Sequence, residues 1–273
     1  MKCPICFKRF RKITNTLDIC KRCHELYFEI GYKPLFSCDF TPPNFDFKKV
    51  SYERKKNLYC GVELEISGDK SSLFLKENVL NDFIFFKHDG SLDDDGIEIV
   101  SMPATLNYHL YNWKKIFSSI RKFELNNLDN CGLHFHFNRD YFTPSQIANI
   151  DYFINSNVNL ITNIGDREPN TYCKIYHKPL SKYGQYYRQD RYSALNLENE
   201  KTIELRFFNS TNDYDTFIRH IIDAFTIVLF CSNSNVFVNA DSENIRTFNV
   251  FANKFKTKLY NKMEREYSNG IYQ

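Results

Sequence analysis

Four short stretches of this chain alternate charged or imidazole side chains with apolar ones. In Gly61-Val62-Glu63-Leu64-Glu65-Ile66 the two glutamates stand two residues apart. A β-strand therefore points both to one face, and Val62, Leu64 and Ile66 to the other. Gly132-Leu133-His134-Phe135-His136-Phe137 does the same with two histidines, and Thr202-Ile203-Glu204-Leu205-Arg206-Phe207 with Glu204 and Arg206. Gly96-Ile97-Glu98-Ile99-Val100 adds one more carboxylate between apolar neighbours. Taken alone, each pattern is that of any strand with one wetted face. An ordinary wetted face, however, draws on Lys, Thr, Ser and Gln, whereas this set is five acidic or imidazole positions followed by Glu204 and Arg206. Carboxylates gathered on one sheet face repel one another unless cations sit among them. An oxygen-rich donor set with imidazole suits Mg2+ or Mn2+. An arginine beside a metal-binding glutamate suits a phosphoryl group bridged to that metal.

A second constellation lies at the N-terminus. Cys3 and Cys6, then Cys20 and Cys23 after thirteen intervening residues, form two C-x2-C turns. Each turn brings two thiolates to one ion, and two turns complete a tetrahedron around Zn2+. Such a closed site leaves no open position for chemistry, so the expected role is structural. A redox pair is the competing use of a C-x2-C turn, and His24 is an alternative fourth ligand. Cys38, Cys60, Cys131, Cys173 and Cys231 are scattered and read as small apolar packing residues.

These side chains need strands to position them. Five segments have strand character: Leu58–Ile66, Gly96–Ser101, Gly132–Asn138, Arg191–Leu197 and Lys201–Phe208, the last two joined by a hairpin loop at Glu198-Asn199-Glu200. Thr105–Phe123 carries apolar residues at helical spacing, from Leu106 and Leu110 through Trp113 to Ile120. Thr143-Pro144-Ser145-Gln146 has the form of a helix start, with a capping threonine, proline first and a glutamine returning a bond. Asp213–Phe230 and Ser242–Met263 complete the helices. Helical excursions between early strands and a hairpin between late ones predict an α+β domain on a mainly antiparallel sheet.

With 273 residues the chain can build one substantial domain and a small appendage. The expected division is a four-cysteine module over 1–30, a connector over 31–57 and the main domain over 58–273. The net charge of +3 conceals an asymmetry. Residues 1–59 hold 13 Lys and Arg against 6 Asp and Glu, so the rest carries 23 against 27. A basic appendage on a mildly acidic body is compatible with an anionic partner, and equally with a small solvated module. No run nears the roughly 20 apolar residues of a membrane span, and the N-terminus has no apolar block of a secretion signal. The expectation is a soluble, intracellular, cytoplasmic protein with no membrane association.

Taken together, Gly-Val-Glu-Leu-Glu (61–65), His-Asp-Gly-Ser-Leu (88–92), Gly-Ile-Glu-Ile-Val-Ser (96–101), Gly-Leu-His-Phe-His (132–136), Arg-Tyr-Ser-Ala-Leu-Asn (191–196) and Ile-Glu-Leu-Arg-Phe (203–207) resemble the amidoligase family. Its members are relatives of glutamine synthetase and glutamate–cysteine ligase. The resemblance covers about residues 58–210 and leaves out the cysteine module and the helical C-terminal part. It implies a glutamine-synthetase-like antiparallel sheet funnel with flanking helices, holding ATP and two or three divalent ions. It assigns Glu63, Glu65, Glu98, His134 and Glu204 to Mg2+ or Mn2+. It places Arg206 and Arg191 on the transferring phosphate, His136 on nucleotide or substrate, Asn196 on the nucleotide and Asp89 on the substrate amine. Asn196 falls on the opposite strand parity from Arg191, and Asp89 is equally a turn residue.

The activity so implied is ATP-dependent joining of a carboxylate to an amine through an acyl phosphate, on a peptide, protein or amino-acid-like substrate. The chain has no Gly-x4-Gly-Lys-Ser/Thr loop, and this family's fold holds triphosphate through metals and arginines instead. Two alternatives stay open. A metal-dependent hydrolase could use the same carboxylates without needing Arg206 and Arg191. A nucleic-acid- or protein-binding zinc protein could carry an inactive ligase-like scaffold, with the basic, aromatic N-terminal segment as its binding surface. The acid and the amine are not legible; the Tyr-, Lys- and Arg-rich stretch 166–190 is the expected source of a substrate pocket.

Overall fold

The computed structural model describes residues 57–78, 83–87, 92, 96–176, 191–233 and 241–268. Cys3, Cys6, Cys20 and Cys23, the connector up to residue 56, Asp89 and most of the 166–190 stretch lie outside them. The fold is mixed helix and sheet. Strands β1 (Cys60–Ser67), β2 (Ile84–Lys87), β3 (Gly96–Ser101), β4 (Gly132–Asn138), β5 (Leu195–Asn196) and β6 (Thr202–Asn209) form one sheet in the order β2-β3-β1-β4-β6-β5. The pairings β1–β3, β2–β3 and β5–β6 are antiparallel, as expected. The helices are α1 (Ser71–Asn78), α2 (Leu106–Lys122), α3 (Pro144–Ser156), α4 (Val158–Gly165), α5 (Tyr214–Asn233) and α6 (Asp241–Ser268).

By contact density the chain divides into two compact units. The first takes in Gly61–Leu133 and Ser210–Tyr214. Here Val62, Leu64, Ile66, Ile97 and Ile99 are fully buried on one sheet face. Two aromatic contacts cover that face. Phe74 of α1 meets Phe86 edge-on at 5.7 Å, and Trp113 of α2 meets Phe83 at 6.2 Å. Leu106, Leu110, Trp113, Ile116, Phe117 and Ile120 are the buried stripe of α2, as their spacing requires. Arg121 and Lys122 close its last turn, where cations oppose the negative end of the helix dipole.

The second unit takes in His134–Asn209 and the chain from Asp215 onward. Phe137 of β4 packs edge-on against Phe225 of α5 at 5.0 Å. Phe153, Phe230 and Phe248, one each from α3, α5 and α6, meet within 5.5 Å of one another. The start of α3 is the capping box that the sequence spells. Thr143 Oγ1 accepts from the Gln146 amide at 3.3 Å, and the Thr143 amide donates to Gln146 Oε1 at 2.8 Å. Cys60, Cys131, Cys173 and Cys231 are free and buried, in keeping with a packing role. Burial drives the Cys60 and Cys231 thiols well up, and that of Cys173 to about 11.

Four elements depart from expectation. β2, α1 and α4 were not foreseen, and the strand expected over Arg191–Leu197 shrinks to Leu195–Asn196. Residues 192–194 instead bond Lys174: its amide donates to Tyr192 O, and the Ala194 amide donates to Lys174 O, both at 2.8 Å. Strand alternation therefore does not extend back from Asn196 to Arg191.

Candidate functional site

In the first unit the register of three strands sets up a rung of charge. Glu65 of β1 lies opposite Glu98 of β3, and Glu98 lies opposite Lys87 of β2. Directly opposed residues of an antiparallel pair share a face, so Glu63, Glu65, Glu98 and Lys87 all project to the same side. This is not a wetted surface. Glu65 and Glu98 are each only 6% exposed. Burying a carboxylate demands partners, and they are present. Glu65 Oε2 accepts from the Gly132 amide at 2.5 Å, and its main-chain oxygen accepts from the Ser210 hydroxyl. Lys87 Nζ stands 3.8 Å from Glu63 Oε1 and 3.9 Å from Glu98 Oε1.

In the second unit the hub is Glu204, 4% exposed. Its Oε1 accepts from the Arg206 guanidinium and stands 3.7 Å from both His134 Nδ1 and His136 Nε2. Its Oε2 accepts from Asn196 Nδ2 at 2.7 Å. Asn196 lies directly opposite Glu204 in the β5–β6 pair and so shares its face, whatever the position of Arg191. Arg191 itself is exposed, with its guanidinium 5.2 Å above the Tyr192 ring.

Strand β6 is buttressed by the end of α4. A Cβ on Gly165 would overlap the Phe207 carbonyl, so only glycine allows this approach. Arg167 Nη1 donates to Arg206 O at 3.2 Å and to Phe208 O at 3.3 Å. Between them Asp166 caps the helix in the left-handed conformation (φ 51°). Its carboxylate accepts from Arg219 and lies 3.3 Å from His220 Nε2. Burial, with Arg219 adjacent, drives the His220 imidazole down to about 4. Burial raises the Asp166 carboxyl, but Arg219 and His220 outweigh it and hold the group below its ordinary value.

Metal chemistry is testable against these donors. His134 Nδ1 and Glu204 Oε1, both of the second unit, stand 3.7 Å apart. Ligands of a single Mg2+ sit at about 2.1 Å from it, hence no more than about 4.2 Å apart. The pair meets that limit, so these two donors fit the ion. Sequence reasoning missed three of the residues that shape these surroundings. Lys87 was missed with β2, whose only signal is the unbroken apolar run Phe83-Ile84-Phe85-Phe86 before a lysine. Gly165 and Arg167 act through main-chain contacts with β6, which no local pattern announces.

No protein-family model matches the chain, and no curated protein matches it. Among solved structures, the cryo-EM structure of Plasmodium falciparum glutamine synthetase is similar at a TM-score of 0.41 and 11% identity. The match covers 63% of this chain and 52% of that one, so the chain spans about half the length of that structure. What the site can do rests on its own side chains.

Proposed function

We propose that this protein is an ATP- and divalent-cation-dependent ligase that joins a carboxylate to an amine through an acyl phosphate. The observation that carries the reading is the buried Glu204 carboxylate. Its Oε1 faces both imidazoles and the Arg206 guanidinium, with His134 at the spacing of a metal donor pair. Glu63, His134 and Glu204 would hold Mg2+ or Mn2+, with Glu65 and Glu98 supplying further negative charge. The ion, when bound, neutralises triphosphate oxygens.

The remaining roles follow from the chain's own groups. Arg206 is 13% exposed and braced by Glu204, so its guanidinium is pre-oriented for the charge that spreads over a transferring phosphoryl group. Asn196 fixes the Glu204 carboxylate and acts through it. His136, 19% exposed, is the imidazole open to nucleotide or substrate. Arg191 would add a second phosphate contact by leaving the Tyr192 ring, and Asp89 would receive the amine. A carboxylate oxygen of the acid attacks the γ-phosphorus and ADP departs. The amine then attacks the acyl carbon, a proton is lost from nitrogen, and inorganic phosphate leaves. Cys3, Cys6, Cys20 and Cys23 would hold a structural Zn2+.

The test is ADP release against panels of carboxylates and amines, in wild type and Glu63→Ala. Release should require both substrates and a divalent ion, and fall by about 100-fold in the variant. Turnover without ATP would instead indicate a hydrolase. Absence of both nucleotide and Mg2+ binding would indicate a scaffold whose N-terminal module does the binding.

A further inference from the structure

Helix α6, within the second unit, shows two unlike faces. Its inner face is buried at Phe248, Ala252 and Leu259, with Phe248 packed on Phe153 and Phe230. Lys256 is turned toward the protein, and its Nζ meets Asp223 Oδ1 of α5 at 2.6 Å. The outer face is built from two parallel rows. Lys254, Lys258 and Lys262 stand four residues apart, Arg265 continues the row, and all four are exposed. Asn253, Thr257 and Asn261, each one residue before a lysine, are exposed as well. Residues four apart are neighbours on a helix surface, so each row is continuous. Like charges at that spacing repel and weaken a helix. Lys254, Lys258 and Arg265 nevertheless form no ion pair among the described residues. The stretch 244–263 holds five Lys and Arg and no Asp or Glu, and Glu264 and Glu266 follow it. Residues 60–273 as a whole carry 23 Lys and Arg against 27 Asp and Glu, so the cations are gathered on this helix.

We infer that the outer face of α6 is a docking surface for the phosphate backbone of double-stranded nucleic acid. The inference is independent of the ligase reading. Phosphate oxygens are contacted by Lys and Arg together with Asn and Thr, the residue types of the two rows. From Lys254 to Arg265 the helix extends about 16 Å, over which a duplex presents about ten phosphates. A lysine row supplies point charges without the forked geometry that reads base edges, so the contact is to backbone and not to sequence. A membrane surface fits less well, because an interfacial helix buries its apolar face in lipid. That face of α6 is spent on the protein, and Val250 and Tyr260 are its exposed large hydrophobics among the described side chains. Single strands are held by successive stacking aromatics, and Tyr260 is one ring.

The experiment is fluorescence anisotropy of a labelled DNA duplex of about 20 base pairs and mixed sequence, titrated with the full chain at about 50 to 200 mM salt. Wild type should bind, with log affinity falling linearly against log salt. Combining Lys254→Gln, Lys258→Gln and Lys262→Gln should weaken binding at least about 10-fold and reduce the salt slope by about 3. Combining Lys254→Arg, Lys258→Arg and Lys262→Arg should retain both affinity and slope. The positions are exposed and both replacements are good helix formers, so circular dichroism should show the fold unchanged. No binding by wild type at about 50 mM salt would overturn the inference whatever the variants do. Unchanged affinity and slope in the glutamine variant would overturn it too, by moving the contact to another basic segment. Tighter binding of poly-glutamate than of the duplex would assign the face to an acidic protein and overturn it equally.

Discussion

The Glu204 carboxylate uses both oxygens: Oε1 toward Arg206 and the two histidines, Oε2 toward Asn196. Glu204→Gln preserves shape but removes the charge that Arg206 pairs with and that the proposed metal ion would need. Mn2+ affinity, read by loss of the free-ion electron paramagnetic resonance signal on titration, should drop by about 100-fold. Arg206→Lys keeps the positive charge and loses the planar fork. The expected result is a kcat lower by about 100-fold with Mn2+ binding retained; loss of Mn2+ binding would mean that Arg206 shapes the donor set instead. The alternation of Glu63 with Glu65, of His134 with His136 and of Glu204 with Arg206 made this face legible from sequence, because strand parity alone settles which side chains share it. Parity misled at Asn196, where it was counted from Arg191 through residues that are not strand. Lys87 was illegible for a related reason: the run before it is apolar on both faces, so no alternation marked it as strand.

At the scale of elements, β6 carries Glu204 and Arg206 and is held by the α4 terminus. Gly165→Ala would force a methyl group into the Phe207 carbonyl, so the usual helical advantage of alanine should reverse into a loss of about 1–3 kcal/mol in urea unfolding. An unchanged midpoint would show that the α4 end yields freely. The buried imidazole of His220 beside it gives a pH signature. Its folded value of about 4 lies below the 6.5 of a free histidine, so between pH 4 and 6.5 the unfolded chain binds more protons. Stability from this group is complete above that window, declines as pH falls through it, and amounts to about 3 kcal/mol. His220→Gln should therefore flatten the fall in Tm between pH 6.5 and 4; an equal slope in both proteins would contradict a neutral buried imidazole. The legible elements were those with local signals: the Thr143 capping box, the α2 stripe, and β3 and β4 at the bounds expected. The eight-residue helix α1 has too few turns for an apolar period, and among its described large side chains only Phe74 and Leu75 are buried.

At the scale of the whole molecule, the basic N-terminal fifth and the sheet that carries the acidic face differ in composition and in proposed chemistry. Among the described residues no helix is long and apolar enough to cross a membrane. If the four cysteines fold a separate zinc module, Cys3→Ser with Cys6→Ser should release Zn2+, measured by metal analysis, and leave nucleotide affinity unchanged. Loss of nucleotide binding in that variant would show that the two parts depend on each other. The substrates stay illegible at this scale too, because specificity pockets come from loops such as 166–190, where no period or spacing constrains residue type. In the proposed function the buried face takes up nucleotide through a divalent ion and Arg206. Its most direct test is calorimetric binding of a non-hydrolysable ATP analogue to wild type and Arg206→Ala, each with Mn2+ and with chelator. Binding by wild type only when Mn2+ is present, weakened at least about 10-fold in Arg206→Ala, is the predicted result. Binding that ignores both the ion and the substitution, or no binding by wild type at all, would contradict it.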